Sequence, residues 1–281
     1  MQIPCRAFDS GRAPSRRIAI VGAGGGIGRA LVSRFRNEDA ALMLTANGSW
    51  DALADASAAA VASGAFASIR LFRGDLANPA ETTRLADAMV AAAAESSSGL
   101  DAFAYAAGLD LSSQESKSTP FDARFARAWQ IDVASCATLA RAIGFAMRDA
   151  ARSDAPAPSI LLFGWDGAER GLEGETGAIY GACKSAVAGF ARALAQTLAP
   201  RVRVNVLAPG WVETRWGANA PSAWKRRGAN DSMLGRWADP TEIADVAKFL
   251  MTNASSFVNG QTIVANGGFS TRDRSVERDA P

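Results

Sequence analysis

From residue 17 to residue 270 the chain alternates short apolar runs of β type with long Ala/Leu-rich helical stretches, and few architectures accept that order. Arg17–Val21, Ala41–Thr45, Ala67–Arg73, Asp101–Tyr105, Ser159–Phe163, Val202–Val206 and Thr262–Ala265 read as seven strands. Between them lie helical patterns over Ile27–Arg36, Asp51–Ser63, Glu81–Ala94, Asp122–Arg152 (as two segments) and Ala178–Leu198. Strands separated by helices must run parallel and be joined by right-handed crossovers, since a tight hairpin cannot return the chain to the same end. The expectation is an α/β fold: a doubly wound, Rossmann-type, mostly parallel seven-stranded sheet with helices on both faces. No internal repeat or second domain is visible, so residues 1–281 are read as one domain. Residues 1–16 and 271–281 are read as flexible ends.

Composition narrows the chemistry. There is no histidine, which removes imidazole as general base, triad member or metal ligand. Three scattered cysteines, Cys5, Cys136 and Cys183, make neither a disulfide framework nor a metal site. A net charge of +2 gives no reason to expect nucleic acid as partner, and no apolar run is long enough for a membrane span. The N-terminus lacks the apolar core of a secretory signal. The expectation is a cytoplasmic enzyme whose acid–base work falls to Tyr, Lys, Asp, Glu or Cys.

In a doubly wound sheet, ligands bind beyond the carboxyl ends of the strands. After the first strand comes Gly22-Ala-Gly24-Gly-Gly26-Ile27-Gly28, running into a helix. Glycine permits positive φ and close backbone approach, and the helix N-terminus presents free N–H groups to a pyrophosphate. The spacing is G-x-x-x-G-x-G rather than G-x-G-x-x-G. Asp75-Leu76 follows the third strand, where a carboxylate can accept from an adenine amino group. Ala106-Ala107-Gly108 follows the fourth, where small residues let ribose approach. Pro209-Gly210, Val212 and Thr214 follow the sixth, where a fixed turn can hold the nicotinamide end. An Asp after a strand is also an ordinary turn residue; the four features together, in order, point to a dinucleotide.

Tyr180 and Lys184 stand four apart at the start of a helical pattern, on one face. A neighbouring ammonium favours phenolate, so the tyrosine pKa is expected to fall from ~10 toward the working range. Such a phenol can give a proton to a carbonyl oxygen while hydride reaches the carbon, or run the reverse. These motifs, with Asn259-Gly260-Gln261 and Asn266-Gly267-Gly268 near the end, resemble the short-chain dehydrogenase/reductases over about Arg17–Phe269, a family that includes the 3-oxoacyl-carrier-protein reductases. The resemblance implies Tyr180 as acid–base group, Lys184 as its tuner and ribose ligand, Thr214 near the nicotinamide amide, and a homotetramer or homodimer.

Two positions depart from that pattern. Where the family places a substrate-binding serine, this chain has Phe163-Gly164-Trp165-Asp166-Gly167; between Ser159 and Tyr180 the one hydroxyl is Thr176. Asp166 is the candidate replacement, either as a protonated donor or as a carboxylate for a basic substrate group, against the plainer reading of a turn cap. Asp132 stands where the family has an asparagine that holds a relay water, and aspartate can still accept from that water. The segment after the second strand, Thr45-Ala-Asn-Gly48, offers no carboxylate for a ribose 2′-hydroxyl, which mildly favours NADP(H) over NAD(H). Trp211, Trp216, Trp224 and Trp237, with Arg215, Lys225, Arg226 and Arg227, form a lid suited to a large, flat or acidic carbonyl or alcohol substrate, or else pack on the protein itself. The competing functions are a non-catalytic dinucleotide-binding or scaffold protein and a dehydratase or isomerase on the same frame.

Overall fold

The computed structural model describes residues 3–48, 50–96, 98–111, 118–214, 217–218 and 220–269. The seven expected strands and one more form one sheet: β1 Cys5–Asp9, β2 Arg16–Val21, β3 Ala40–Ala46, β4 Ser68–Arg73, β5 Ala102–Tyr105, β6 Ser159–Phe163, β7 Arg203–Pro209 and β8 Thr262–Ala265. Their spatial order is β1-β4-β3-β2-β5-β6-β7-β8. From β4 to β8 every neighbouring pair is parallel, and the winding reverses between β2 and β5. The fold is thus the doubly wound α/β sheet expected.

The strand count is corrected from seven to eight. Cys5–Asp9, read from sequence as part of a flexible end, pairs antiparallel with β4, Cys5 opposite Phe72 and Asp9 opposite Ser68. Its side chains are mostly exposed, with only Phe8 against the core, so no apolar alternation announced it. What holds it is the row of backbone donors and acceptors on the open edge of β4, a partner that exists only after folding. The expected flexible tail 271–281 lies outside the described residues.

The helices are α1 Gly26–Arg34, α2 Trp50–Ala62, α3 Pro79–Ala94, α4 Phe121–Ala128, α5 Ser135–Ala150, α6 Glu175–Leu198, α7 Ser222–Asp231 and α8 Pro240–Met251. Strand periodicity sorts the core into two layers. Ile18, Ile20, Leu42 and Leu44 pack toward α1, α2 and α8, with Leu31, Trp50 and Ile243. Ala19, Val21, Met43 and Phe103 face the other way, against Leu85 and Met89 of α3, Leu139 and Ile143 of α5, and Val187 and Leu194 of α6. Both faces are covered, which is why the strands read as continuous apolar runs.

Between α4 and α5 the helix does not break but widens into a π-helical segment, Trp129–Ala134. The Tyr105 hydroxyl at the end of β5 donates to the Ile131 carbonyl at 2.5 Å, tying this segment to the sheet. Local π geometry of this kind is frequent at functional sites because it re-aims single side chains. Here the side chain concerned is Asp132.

Candidate active site

The glycine turn closes on its neighbours at the carboxyl end of the sheet. Gly22 has φ +83°, and a Cβ there would stand 2.6 Å from the Ala107 backbone nitrogen, so the turn lies directly against the Ala106-Ala107 element after β5. A Cβ on Gly26 would meet the Thr214 side chain at 2.9 Å, which brings the loop after β7 onto the first turn of α1. Three motifs up to 192 residues apart in sequence thereby share one crevice at the winding reversal. The N-cap of α1 is Gly25, with no side-chain hydrogen bond to the first turn, so no protein side chain occupies the donors that would meet an anion. Cβ-free walls and uncapped helical donors fit a dinucleotide pyrophosphate.

Thr45, which sequence reading did not single out, fixes the turn: its hydroxyl accepts from Gly22 N (3.2 Å) and its carbonyl from Ala23 N (3.1 Å). Asp75 is exposed, and one of its oxygens accepts from Ala77 N at 3.0 Å, so the turn role is occupied while the second oxygen has no such bond. The Leu76 carbonyl accepts from Ser135 Oγ at 2.8 Å, which anchors that loop to α5. Gly24, Ile27 and Gly28 lie in the turn and first helical turn, with Gly28 packed against the Gly22 carbonyl. Val212 pairs with Ala238 in an isolated bridge, and Gly210 N donates to Ala265 O at 3.1 Å, so the loop after β7 is tied down on both sides.

Tyr180 and Lys184 lie one turn apart on α6. The Lys184 ammonium is 5.2 Å from the centre of the Tyr180 ring. Its own anchors are the Phe163 carbonyl at the end of β6 (3.2 Å) and Asp132 Oδ1 (2.8 Å). The two side chains of this ion pair are 4% and 1% exposed, so the charges compensate each other away from water. The other carboxylate oxygen accepts from Leu109 N at 3.0 Å, just past Gly108. Asp132 therefore grips the lysine directly, which the expectation of a water-holding role did not include. The π segment explains it: a helix widened at that turn points Asp132 inward at α6.

The charge balance differs from the expectation in sign. Burial pushes the Tyr180 phenol up, the Lys184 ammonium pulls it down, and the Asp132 carboxylate pushes it up again; the net direction is above the ordinary tyrosine value. For Lys184, burial disfavours the ammonium, but Asp132 and the phenol together overcome it, and its pKa is raised. The lowered tyrosine foreseen from the i, i+4 spacing counted the cation and missed, first, the burial of the phenol and, second, the counter-ion of the lysine. Burial also pushes the Cys183 and Cys136 thiols up to about 11 and about 12, which keeps both protonated at neutral pH.

Asp166 is not a free donor. Its Oδ2 accepts from Arg170 Nη2 (2.9 Å) and from Asn266 Nδ2 (3.0 Å), so its side chain is tied to two neighbours. Arg170 in turn lies over the Phe269 ring, 3.5 Å from its centre. Trp165, immediately before it, sets its ring edge-on to Tyr180 with centres 5.4 Å apart. Beyond Trp165 a cavity of about 560 Å³ opens, lined among others by Asp166, Arg170, Trp211, Arg227 and Phe269. Arg227 pairs with Glu173 and holds its carboxyl down to about 2, so the rim is charged but internally balanced.

Of the tryptophans expected in a lid, Trp211 reaches the cavity, and it packs on Trp224 (5.6 Å) and Trp237 (5.1 Å). The three rings pack as one group, while Trp216 and Arg215 lie outside the described residues. Arg170, Glu173 and Phe269 were not foreseen, and Asn266 only as part of a motif near the end, since a salt bridge or ring stack between distant loops leaves no local pattern. Among the described residues no group of acidic or cysteine side chains could hold a metal ion, and no helix is long and apolar enough to cross a membrane.

Comparison with known proteins agrees with this geometry. The family model described as Enoyl-(Acyl carrier protein) reductase matches residues 22–270. Among curated proteins, the chain is similar to the uncharacterized oxidoreductase YmfI of Bacillus subtilis (strain 168), 41% identical over 101 residues, 34% of this chain and 42% of that protein. It is also similar to the 3-oxoacyl-[acyl-carrier-protein] reductase FabG of Aquifex aeolicus (strain VF5), 38% identical over 100 residues, 35% of this chain and 40% of that protein. The matched stretches span about two fifths of these relatives. Solved structures align over nearly the whole chain. A short-chain dehydrogenase/reductase from Brucella melitensis has a TM-score of 0.76 at 29% identity, covering 92% of this chain and 98% of that one. A structure titled as a putative NAD(P) dependent gluconate 5-dehydrogenase from Beutenbergia cavernae, with bound NADP, has a TM-score of 0.76 at 26% identity, covering 91% and 96%. The chain belongs to the Enoyl-(Acyl carrier protein) reductase family of short-chain dehydrogenase/reductases and is similar to the 3-oxoacyl-[acyl-carrier-protein] reductases.

Proposed function

We propose that the chain, acting as one domain, is an NAD(P)-dependent oxidoreductase that interconverts a carbonyl and an alcohol, with Tyr180 as acid and base. The observation that carries this reading is the buried Lys184 ammonium, held by Asp132 and the Phe163 carbonyl and standing 5.2 Å from the Tyr180 ring. Nothing in core packing requires a charged pair there, and removing one partner of a buried pair is costly. The bound nicotinamide supplies or takes up the hydride. The chain's own part is to move the proton: in reduction the Tyr180 hydroxyl gives it to the carbonyl oxygen, and in oxidation the phenolate takes it from the alcohol. Lys184 stabilises that phenolate, and Asp132 keeps Lys184 charged and in place. Gly22, Gly26 and Gly28, with Ala106, Ala107 and Gly108, make room for the dinucleotide, and Asp75, Val212 and Thr214 contact its two ends.

NADP(H) is the favoured cofactor in this reading. The end of β3 carries no carboxylate, and Arg73, exposed at the end of β4, is in register with Ala46 and supplies a cation on that side. Exposed Phe121, Trp129, Phe249 and Phe257 support assembly as a homodimer or homotetramer. A cytoplasmic location belongs to the same reading.

The test is Tyr180→Phe. Reduced-cofactor oxidation against a panel of ethyl acetoacetate, diacetyl and fructose should fall to background while NADPH binding, followed by its fluorescence, stays within about threefold. Undiminished turnover by this variant refutes the role of Tyr180. Cofactor binding with no wild-type turnover on any carbonyl favours the non-catalytic reading.

A further inference from the structure

The geometry points to the indole N–H of Trp165 as the hydrogen-bond donor that holds the substrate oxygen beside Tyr180, in the place where relatives carry a serine hydroxyl. The inference rests on the oxidoreductase reading and deepens it.

The backbone of Trp165 is held on both sides. Gly164 N donates to Leu207 O (2.8 Å) and Asp166 N donates to Pro209 O (3.2 Å), so the chain continues as an extension of β6 along β7. Side chains alternate in such a segment. Position 164 backs onto Val206 and Ala208, and the Asp166 carboxylate turns to Asn266. Trp165 goes to α6, where its ring meets Tyr180 edge-on at 5.4 Å between centres.

The ring has a shaped seat. A Cβ on Gly167 would overlap the six-membered ring of Trp165, and a Cβ on Gly181, next to Tyr180, would meet its far edge at 3.7 Å. Two positions without side chains thus flank one indole between the cavity and Tyr180.

The donor is also available. Indole offers a single N–H and no acceptor. Trp211 and Trp237 spend theirs on Asp231 Oδ2 (2.9 Å) and Lys225 O (3.1 Å). That of Trp165 has no partner among the described residues, although the side chain is half-buried and lines the cavity. That leaves the N–H to an oxygen of a ligand bound in the cavity. Of the neighbouring side chains in this stretch, that of Asp166 is committed through Oδ2 to Arg170 and Asn266, and Gly164 and Gly167 have none.

In reduction, then, the carbonyl oxygen accepts from the indole N–H throughout and receives its proton from Tyr180. The indole loses no proton, so the balance of the reaction is unchanged. Donors aimed at developing oxyanions are worth ~10²–10³ in rate.

The test compares four chains on whichever of ethyl acetoacetate, diacetyl and fructose the wild type reduces fastest, with NADPH, at pH 8. Trp165→Phe keeps the ring and removes the N–H; kcat should fall about 10²-fold, with NADPH affinity and thermal unfolding essentially unchanged. Trp165→Ala should be at least as slow. Trp165→His, whose neutral imidazole can set an N–H near the indole position, should recover at least about tenfold over Trp165→Phe. Wild-type rates in Trp165→Phe together with a slow Trp165→Ala would mean that the ring only packs, and the proposal is overturned. Should Trp165→Phe not fold, His no faster than Ala overturns it equally. A wild type that reduces nothing overturns the oxidoreductase reading, and the donor with it; a working wild type with an equally fast Phe variant overturns the donor alone.

Discussion

Replacing Asp132 by Asn separates charge from shape at the centre of the site. In the native chain the carboxylate lies 2.8 Å from the Lys184 ammonium, both nearly sealed from water. Asparagine keeps the volume and an acceptor oxygen but leaves the ammonium buried with only the Phe163 carbonyl and an amide dipole. Losing one member of a buried ion pair costs ~3–5 kcal/mol, and the retained acceptor argues for the lower end, about 3 kcal/mol. For a chain of this size that corresponds to a melting temperature lower by roughly 6–12 °C. Lys184 is raised above its ordinary value in the folded chain. Its contribution is therefore complete at pH 7 and is lost only as pH climbs through that raised value.

Catalysis should shift in a defined direction. Burial first, and Asp132 after it, hold the Tyr180 phenol above its ordinary value against the pull of Lys184. Removing Asp132 removes one upward push, so the phenol ionises at lower pH. Reduction needs the protonated phenol, and its alkaline limb should move to lower pH; oxidation needs the phenolate, and its rising limb should move the same way. Calorimetric unfolding and the pH dependence of kcat in both directions read these effects. Combining Asp132→Asn with Lys184→Met tests the pairing, since residues in contact couple by ~0.5–3 kcal/mol. Unaltered melting together with unmoved limbs would show that the Asp132–Lys184 pair does not set the electrostatics of the site.

Gly22→Ala puts a Cβ 2.6 Å from Ala107 N at a φ of +83°, and should weaken NADPH binding at least about tenfold, measured by cofactor fluorescence, with a stability loss of ~1–3 kcal/mol. Arg203 is buried and donates to the Ser255 (2.9 Å), Thr252 (3.0 Å) and Val258 (3.2 Å) carbonyls, holding the segment between α8 and β8. Arg203→Met leaves those acceptors unsatisfied and should cost about 3 kcal/mol or more, seen in denaturant unfolding, while activity per folded molecule is kept. In the same assays, NADPH should give a lower KM than NADH, and Arg73→Ala should narrow the gap.

The layered fold was legible because its signals are local. Apolar runs such as Ser159–Phe163 and helical spacing such as Ala178–Leu198 depend on neighbours within a turn or a strand, and the structure differs mainly at the ends, as where α6 begins at Glu175. The same holds for Gly22–Gly28 and for Tyr180 with Lys184, whose spacing alone puts them on one turn or one face. Cys5–Asp9 was illegible because its stabilisation is the edge of β4, contributed by residues 59 to 67 positions away.

What tertiary structure alone decided was which charges and rings meet. Asp132 was visible as a departure, but only a π-helical segment packed on β5 turns its carboxylate onto Lys184, and only burial of the phenol, with Asp132 adding to it, reverses the direction expected for the Tyr180 pKa. Asp166 and Trp165 were equally visible as neighbours in one loop. Extension of β6 along β7 sends one to Arg170 and Asn266 and the other to Tyr180. Sequence determines which chemistry a chain can hold and at which strand ends. Electrostatics and hydrogen bonding act through space over a few ångströms, so their balance belongs to contacts that chain order does not encode.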